Sequence, residues 1–308
     1  MKVLVTGGAG YIGTSLIPQL LEAGHRVRVF DNLSFGGDPL LPFFKHSDFE
    51  FIKGDIRTKA DVAAAVRGQD AVIHLAAIVG YPACRKDPTL AEEVNIQGTK
   101  NLASALSPEQ LVLVGSTGSN YGAVEEVCTE DTPLNPLSLY GQTKTIAEKH
   151  LLENCSAIAF RFATGFGLSP RLRLDLLVND FTYKAVTQQY LVVYEAHFMR
   201  TFIHVRDIGR AFVFALDRAG EMRGRVYNVG SEDMNFSKRD VCELIQRHVK
   251  YYAHYAEVGE DADKRNYIVS YEKIRRLGYR TTITLDHGIA ELCRGFVALS
   301  YKSPYSNA

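Results

Sequence analysis

Residues 3–13, Val-Leu-Val-Thr-Gly-Gly-Ala-Gly-Tyr-Ile-Gly, constrain the fold of this chain more than any other segment. A short apolar run leads into three glycines, Gly7, Gly10 and Gly13, and a helical pattern of apolar residues follows at once. A strand, a glycine-rich turn and a helix in this order bring backbone N–H groups and a helix N-terminus to the point where a pyrophosphate binds. We therefore expect an α/β fold that holds a dinucleotide at this turn.

The rest of the first half alternates short apolar strands with helical segments. Strands are predicted over residues 2–6, 26–30, 49–53, 71–75, 111–115 and 158–162. A long helix is predicted after Pro88, through Val94 to Leu106. Successive strand–helix units imply a doubly wound parallel sheet with helices on both faces. We expect a sheet domain of residues 1–163 plus about 201–229. Residues 164–200 and 230–308 are expected to form a smaller substrate-binding lobe, which contains a helix over 171–188.

Charge and cysteine usage exclude several classes of partner. The 308 residues include 35 basic and 35 acidic side chains, so no net charge favours nucleic acid or an anionic membrane. No apolar run approaches the roughly 20 residues that span a bilayer, and the first strand leaves no room for a signal peptide. The five cysteines are scattered and never form a Cys-x-x-Cys pair, which is typical of reduced thiols. We expect a cytoplasmic protein without a metal site.

Two carboxylates that follow predicted strands are candidate cofactor ligands. Asp31 lies about twenty residues past the glycines, where a carboxylate holds ribose hydroxyls and repels a 2′-phosphate. Asn32 and Leu33 supply no arginine for such a phosphate, so the pattern favours NAD over NADP; a turn cap is the alternative reading of Asp31. Asp55 is placed to accept a hydrogen bond from the adenine amino group, with Ile56 packed against the ring. The alternative is that Asp55 caps the following helix.

Tyr140 and Lys144 are the candidate catalytic residues. On a helix, positions i and i+4 share a face, so the phenol and the amine point the same way. A free phenol titrates near ~10, and a nearby ammonium stabilises the phenolate and lowers that pKa. Tyr140 is then able to accept a hydroxyl proton, with Thr117 at the end of the fifth strand aligning the reacting group. The alternative is an exposed helical face with no catalytic role.

Together these segments resemble the extended short-chain dehydrogenase/reductases, and among them the nucleotide-sugar epimerase/dehydratase family. The resemblance rests on residues 6–13, Asp-Asn-Leu-Ser at 31–34, Asp-Ile at 55–56, His-Leu-Ala-Ala at 74–77, Asn95, Ser-Thr at 116–117, Tyr-Gly at 121–122, residues 140–144, 200–207 and 227–230. It implies a Rossmann-type sheet, NAD as cofactor and a nucleoside-diphosphate sugar as substrate. It also implies a homodimer built through a four-helix bundle.

The resemblance also implies roles for individual residues. The catalytic positions are Thr117, Tyr140 and Lys144. The positions that contact NAD are Gly7, Gly10, Tyr11, Ile12, Gly13, Asp31, Asn32, Asp55, Ile56, Leu75, Ala76, Ala77, Tyr140 and Lys144. The positions expected at the substrate are Tyr81, Thr117, Thr164, Arg171, Arg200 and Arg265, with Arg200 and Arg265 on the diphosphate. An arginine fork suits phosphate oxygens, although a surface ion pair is the alternative for each.

One departure from the family pattern bears on the reaction. Sugar 4,6-dehydratases place an Asp-Glu pair directly after the threonine, where this chain has Gly118 and Ser119. Loss of a C6 hydroxyl needs an acid and a base beyond the tyrosine, so dehydration is disfavoured. We expect oxidation at C4 to a 4-keto sugar, most simply within a 4-epimerase. A 4-dehydrogenase or a 4-ketoreductase uses the same atoms, whereas a non-enzymatic NAD sensor needs neither Tyr140 nor Lys144.

Overall fold

A seven-stranded parallel sheet forms the centre of the molecule. The computed structural model describes residues 1–124, 126–256 and 268–299. The strands are β1 (Lys2–Thr6), β2 (Arg26–Asp31), β3 (Phe49–Lys53), β4 (Ala71–His74), β5 (Leu111–Thr117), β6 (Ser156–Phe162) and β10 (Arg225–Val229). Their order across the sheet is β10-β6-β5-β4-β1-β2-β3, and each neighbouring pair is parallel. The predicted doubly wound parallel sheet is confirmed.

Helices cover both faces of this sheet. They are α1 (Tyr11–Glu22), α2 (Lys59–Val66), α3 (Tyr81–Lys86), α4 (Pro88–Glu92), α5 (Gly98–Ala105), α6 (Leu139–Asn154), α7 (Leu177–Thr187), α8 (Val205–Asp217), α9 (Ala219–Met222), α10 (Lys238–Gln246), α11 (Glu272–Arg276) and α12 (Leu285–Val297). Side chains alternate across β1, so Val3 and Val5 pack with α1 and α8, whereas Leu4 packs with α2, α5 and α6. Each face of the sheet therefore has its own apolar core.

The later strands build two small sheets, of which the three-stranded one contributes to a third apolar cluster and the two-stranded one to a smaller fourth. These strands are β7 (Thr164–Phe166), β8 (Tyr190–Tyr194), β9 (Met199–His204), β11 (Asn235–Ser237) and β12 (Tyr252–Ala256). The orders are β11-β9-β7 and β12-β8, with α7, α10 and α12 packed beside them. The assignment of residues 201–229 to the sheet domain stays a prediction, since β10 lies in the central sheet and β9 lies in a small one.

Two predicted helices differ from those observed. The helix predicted over 171–188 begins at Leu177, because the residues before it form hydrogen bonds with α1 instead. The long helix expected after Pro88 is interrupted by a π-helical turn, Glu93–Gln97, between α4 and α5. Such a turn carries one extra residue and occurs often at functional sites.

The described residues also include no helix with both the length and the apolar character that crossing a bilayer requires. Over the same ranges, no three His, Cys, Asp or Glu side chains are grouped so that they could hold a metal ion.

Candidate active site

The glycine-rich turn between β1 and α1 is shaped for a close approach of phosphate to backbone. Gly7 has φ +71°, and a Cβ there would lie 2.6 Å from the Ala76 backbone nitrogen. A Cβ on Gly13 would lie 2.4 Å from the Gly8 carbonyl oxygen. Gly10 is the N-cap of α1 and has no side chain to cap it, so no N-cap side chain occupies the first-turn N–H groups. The turn therefore fits the pyrophosphate of NAD.

Asp31 stands at the end of β2 beside this turn. Its Oδ2 accepts a hydrogen bond from the Ala9 N–H at 3.0 Å, and its Oδ1 accepts one from the Leu33 N–H at 2.8 Å. Burial raises the pKa of this carboxyl, and the two N–H donors and the charge of Arg171 oppose that rise. Because a carboxylate has about four acceptor sites, capacity for ribose hydroxyls remains.

A single cleft, which we call the dinucleotide cleft, collects most of the predicted cofactor-binding residues. Those that line it are Gly7, Gly10, Tyr11, Ile12, Gly13, Asp31, Asn32, Ile56, Leu75, Ala76 and Ala77. Phe35, Arg57, Arg171 and Arg173 also line the cleft. Sequence reasoning did not single out Phe35 or Arg57, and it placed Arg171 at the substrate.

Asp55 lies outside the cleft lining and is engaged by its neighbour. The Arg57 guanidinium donates to both carboxylate oxygens, and Asn32 adds a third side-chain hydrogen bond. These bonds, led by those from Arg57, lower the pKa of Asp55 to about 2. Thr58 occupies the N-cap position of the helix that follows, so the alternative role of Asp55 as its N-cap is wrong. The Asp-x-Arg spacing was the available signal for this pair.

The first two turns of α6 carry Tyr140 and Lys144. The Ser138 hydroxyl caps the helix by accepting a hydrogen bond from the Gly141 N–H at 3.1 Å. Tyr140 is half-buried, and Lys144, one turn further on, is 4% exposed. Burial lowers the pKa of Lys144 to about 8, against the opposing charge of Glu148. The ammonium form therefore still predominates at neutral pH.

Thr117 ends β5 and begins a tight turn that meets the start of α6. Its hydroxyl accepts the Ser119 N–H at 3.1 Å and donates to the Ser119 hydroxyl at 3.1 Å. A Cβ on Gly141 would lie 3.0 Å from the Ser119 carbonyl oxygen, so the turn and the helix are in close contact there. The fold thus brings Thr117 and Tyr140 into adjoining segments. Neither they nor Lys144 belong to the lining of the dinucleotide cleft.

A chain of buried hydrogen bonds joins β1 to α6. His74 bonds the Thr6 hydroxyl through Nδ1 at 2.8 Å and the Thr99 hydroxyl through Nε2 at 3.0 Å. Because the Thr99 hydroxyl donates to the Asn95 carbonyl at 2.6 Å, we assign the proton of neutral His74 to Nε2. Burial lowers the pKa of His74 to about 3, so the ring is neutral at physiological pH. Asn95 continues the chain to Thr143 on α6.

The predicted substrate residues lie on separate elements. Tyr81 begins α3, where its hydroxyl accepts a hydrogen bond from Arg85, and Thr164 begins β7. Arg200 lies buried in β9 and donates to the Met199 carbonyl. Arg265 lies outside the described residues. Of the predicted substrate residues that the structure describes, Arg171 lines the dinucleotide cleft, and Tyr81, Thr164 and Arg200 do not. Their assignment to substrate stays a prediction.

Comparison with known proteins defines the class of this chain. The sequence profile of the NAD dependent epimerase/dehydratase family matches residues 3–230. The chain therefore belongs to that family, which agrees with the resemblance to extended short-chain dehydrogenase/reductases. It is an NAD-dependent enzyme, and NAD is its cofactor.

Similar proteins catalyse different reactions. CDP-paratose 2-epimerase from Salmonella typhi is 27% identical over 312 aligned residues, covering 89% of this chain and 92% of that protein. The structure of Thermus thermophilus UDP-glucose 4-epimerase with NAD has a TM-score of 0.85 and 25% identity, covering 97% of this chain and 100% of that one. DesIV from Streptomyces venezuelae, a dTDP-glucose 4,6-dehydratase, has a TM-score of 0.85 and 26% identity, with 97% of both chains covered. The family therefore includes 2-epimerases, 4-epimerases and 4,6-dehydratases, and similarity alone does not distinguish among these reactions for this chain.

Proposed function

We propose that this enzyme is a nucleotide-sugar 4-epimerase that oxidises C4 of the sugar to a ketone and reduces it again. One observation carries the proposal. Tyr140 and Lys144 lie one turn apart at the start of α6, against the turn that bears Thr117. That turn, residues 117–120, contains no carboxylate.

Each of these side chains has a distinct task in the proposed reaction. Tyr140 accepts the proton of the C4 hydroxyl and later returns a proton to the C4 oxygen. The Lys144 ammonium stabilises the phenolate form of Tyr140, since an adjacent positive charge favours the deprotonated phenol. Thr117 holds the C4 oxygen by a hydrogen bond and orients the hydroxyl toward Tyr140.

The cofactor end of the site supports the same chemistry. NAD, when bound, supplies the acceptor and then the donor of the C4 hydride. The glycine turn would hold its pyrophosphate, and Asp31 would hold its adenosine ribose. The dinucleotide cleft lies at the carboxyl ends of β1, β2 and β4, where ligands of doubly wound sheets bind.

The turn after Thr117 argues against dehydration as the main reaction. Elimination of a C6 hydroxyl requires an acid at C6 and a base at C5 in addition to Tyr140. Gly118 has no side chain, and the Ser119 hydroxyl accepts a hydrogen bond from Thr117. A neutral hydroxyl with a pKa far above 7 is a poor acid or base, so this turn favours simple oxidation and reduction at C4.

We place the nucleotide on the later elements of the chain. Arg200 in β9 is assigned to the diphosphate, together with Arg265, because a guanidinium pairs well with phosphate oxygens. Tyr81 and Thr164 are assigned to the sugar. Five free thiols and a nucleotide-sugar substrate are in keeping with a cytoplasmic enzyme.

A homodimer through α5 and α6 completes the proposal. The two helices pack against each other beside the sheet, and Ile146 on α6 is 45% exposed. Pairing of this surface with its copy would form a four-helix bundle and bury Ile146. Light scattering should give twice the chain mass for the wild type and the chain mass for Ile146→Asp. Leu41→Asp, which changes an exposed leucine elsewhere, should remain dimeric.

The reaction is tested by incubating the purified enzyme with UDP-, GDP- and dTDP-sugars and following C4 configuration by proton NMR. A 4-epimerase converts its substrate without added NAD and releases no NADH. Sustained release of NADH would identify a dehydrogenase instead, and a 4-keto-6-deoxy product would identify a dehydratase.

The role of Tyr140 is tested by Tyr140→Phe, with Tyr190→Phe, at an exposed position of β8, as a matched control. Tyr140→Phe should retain NAD and lose turnover by about 10²–10⁴-fold, the usual contribution of a general acid–base group. Tyr190→Phe should turn over at the wild-type rate. Full activity of Tyr140→Phe would remove the phenol from the reaction.

A further inference from the structure

The segment of residues 167–175, which we call the strap, is tied to the start of α1. The Tyr11 hydroxyl donates to the Gly167 carbonyl at 2.8 Å, and the Ser169 hydroxyl donates to the Tyr11 carbonyl at 2.7 Å. The Arg171 N–H donates to the Thr14 hydroxyl at 3.3 Å. The strap is thus fixed on the helix whose N-terminus faces the cofactor phosphates.

Arg171 in the strap meets Phe35 at the dinucleotide cleft. Arg171 is 2% exposed, and its Cζ lies 4.2 Å from the centroid of the Phe35 ring. Both side chains line the cleft, although Phe35 belongs to the loop after β2 and Arg171 follows β7. A guanidinium over an aromatic face is attractive, and more so where water is partly excluded.

The loop that carries Phe35 is itself tied to the cofactor residues. The Leu33 N–H donates to the Asp31 carboxylate, and Leu33 has φ +63°, a conformation that its own contacts must impose. The Gly36 N–H closes the loop on the Leu33 carbonyl at 2.9 Å. Phe35 is 50% exposed. Exposure of a phenyl ring to water is unfavourable, and the contact with Arg171 covers part of that ring. The contact with Arg171 therefore links two segments, each anchored to a part of the cofactor site.

We propose that Arg171 and Phe35 form a clasp over the dinucleotide cleft that slows the release of NAD. Both side chains line the cleft that the cofactor must occupy, so a contact between them that persists around bound NAD would slow its departure. The clasp concerns retention of NAD and is independent of which sugar reaction the enzyme performs. Its failure would leave the proposed 4-epimerase activity untouched.

The release of NADH measures the clasp directly. Enzyme loaded with NADH is mixed with a large excess of NAD⁺, without any sugar, and the fluorescence of bound nicotinamide is followed. Phe35→Ala should raise the release rate about tenfold, the effect of losing one partly desolvated cation–π contact. Phe35→Tyr keeps an aromatic face and should release NADH at nearly the wild-type rate.

Arg171→Lys tests the other side of the contact without removing the charge. A lysine cannot stack as a planar guanidinium does, so release should again accelerate. If the two side chains act through one contact, the double variant that combines Phe35→Ala with Arg171→Lys should release NADH no faster than Phe35→Ala alone. Multiplied effects in the double variant would show two independent sites and overturn the clasp.

Phe44→Ala is the matched control. Phe44 is also an exposed phenylalanine in the region between β2 and β3, but it packs on Phe49 and does not line the cleft. Its removal should leave the release rate unchanged. A release rate for Phe35→Ala equal to the wild type, or an equal acceleration in Phe44→Ala, would overturn the proposal.

Discussion

The Asn95 side-chain amide donates a hydrogen bond to the Thr143 hydroxyl at 3.0 Å and so joins the π-helical turn to α6. The Thr143 hydroxyl in turn donates a hydrogen bond to the Tyr140 carbonyl at 3.0 Å. Asn95 also accepts from the Ile78 N–H and donates to the Ile78 carbonyl. One buried amide thus fixes the strand-end loop that follows β4 against the turn of α6 that carries the phenol.

Removal of this amide should cost both stability and turnover. Asn95→Ala leaves the Ile78 backbone groups and the Thr143 hydroxyl without their buried partner, so the free energy of unfolding should fall by about 2–4 kcal/mol. Urea denaturation measures the change. Asn154→Ala, which removes an exposed amide at the other end of α6, should stay within about 0.5 kcal/mol of the wild type. Equal losses in both variants would contradict the special position of Asn95.

Two glycines with similar positive φ angles distinguish the cost of that backbone conformation from the cost of adding a Cβ at the glycine-rich turn. Gly7 and Gly24 have φ +71° and +78°, but a Cβ on Gly7 meets the Ala76 nitrogen, whereas nothing lies within 4 Å of a Cβ on Gly24. Gly24→Ala should cost about 1 kcal/mol and keep NAD, and Gly7→Ala should lose NAD binding. Calorimetric titration with NAD⁺ distinguishes them. Normal affinity in Gly7→Ala would show that the phosphates do not lie at this turn.

The sequence predicted the central sheet because its signals are local. Apolar runs, glycine spacing and the i, i+4 pair of Tyr140 and Lys144 are all legible within a few residues. The strap was missed for the opposite reason: its conformation depends on hydrogen bonds with Tyr11 and Thr14, more than 150 residues away along the chain. Those contacts hold Arg171 out of the helix that the local pattern predicts.

A buried ion pair between β6 and α6 gives another prediction. Arg161 on β6 donates to Glu148 on α6 at 2.6 Å, with the two side chains 5% and 1% exposed. Glu148 also accepts from the Ser116 hydroxyl, next to Thr117, at 2.5 Å. Glu148→Ala leaves the Arg161 charge buried and unpaired, so the free energy of unfolding should fall by about 3–5 kcal/mol in urea denaturation.

An exposed pair is the control for Glu148→Ala. Arg26 and Asp48 lie 3.1 Å apart with side chains 70% and 54% exposed. Because water and salt screen such a pair, Asp48→Ala should change the free energy of unfolding by less than about 1 kcal/mol. A small effect of Glu148→Ala, comparable to that of Asp48→Ala, would mean that solvent or rearrangement compensates for the lost carboxylate.

Lys144 illustrates the cost of placing a charge at this site. Burial dominates its lowered pKa, and the groups that also act on it are Glu148 on its own helix and Cys84 on α3. The charge of Lys144 in turn depresses the pKa of His74 at the end of β4. The folded protein thus disfavours the ammonium that the proposed reaction needs.

The free energy of unfolding should depend on pH because the Lys144 ammonium is unfavourable in the folded protein. The pKa of Lys144 is about 8 in the folded protein and about 10.4 in the unfolded chain, so the unfolded state binds more protons between these values and stability rises with pH there. Lys144→Met should therefore lose turnover yet exceed the wild type by about 3 kcal/mol in the free energy of unfolding at pH 7, and the gap should shrink to less than about 1 kcal/mol at pH 10. Denaturation at both pH values measures it, with the exposed Lys149→Met as a control that shows no gap at either. A gap that stays constant from pH 7 to pH 10 would show that Lys144 titrates normally.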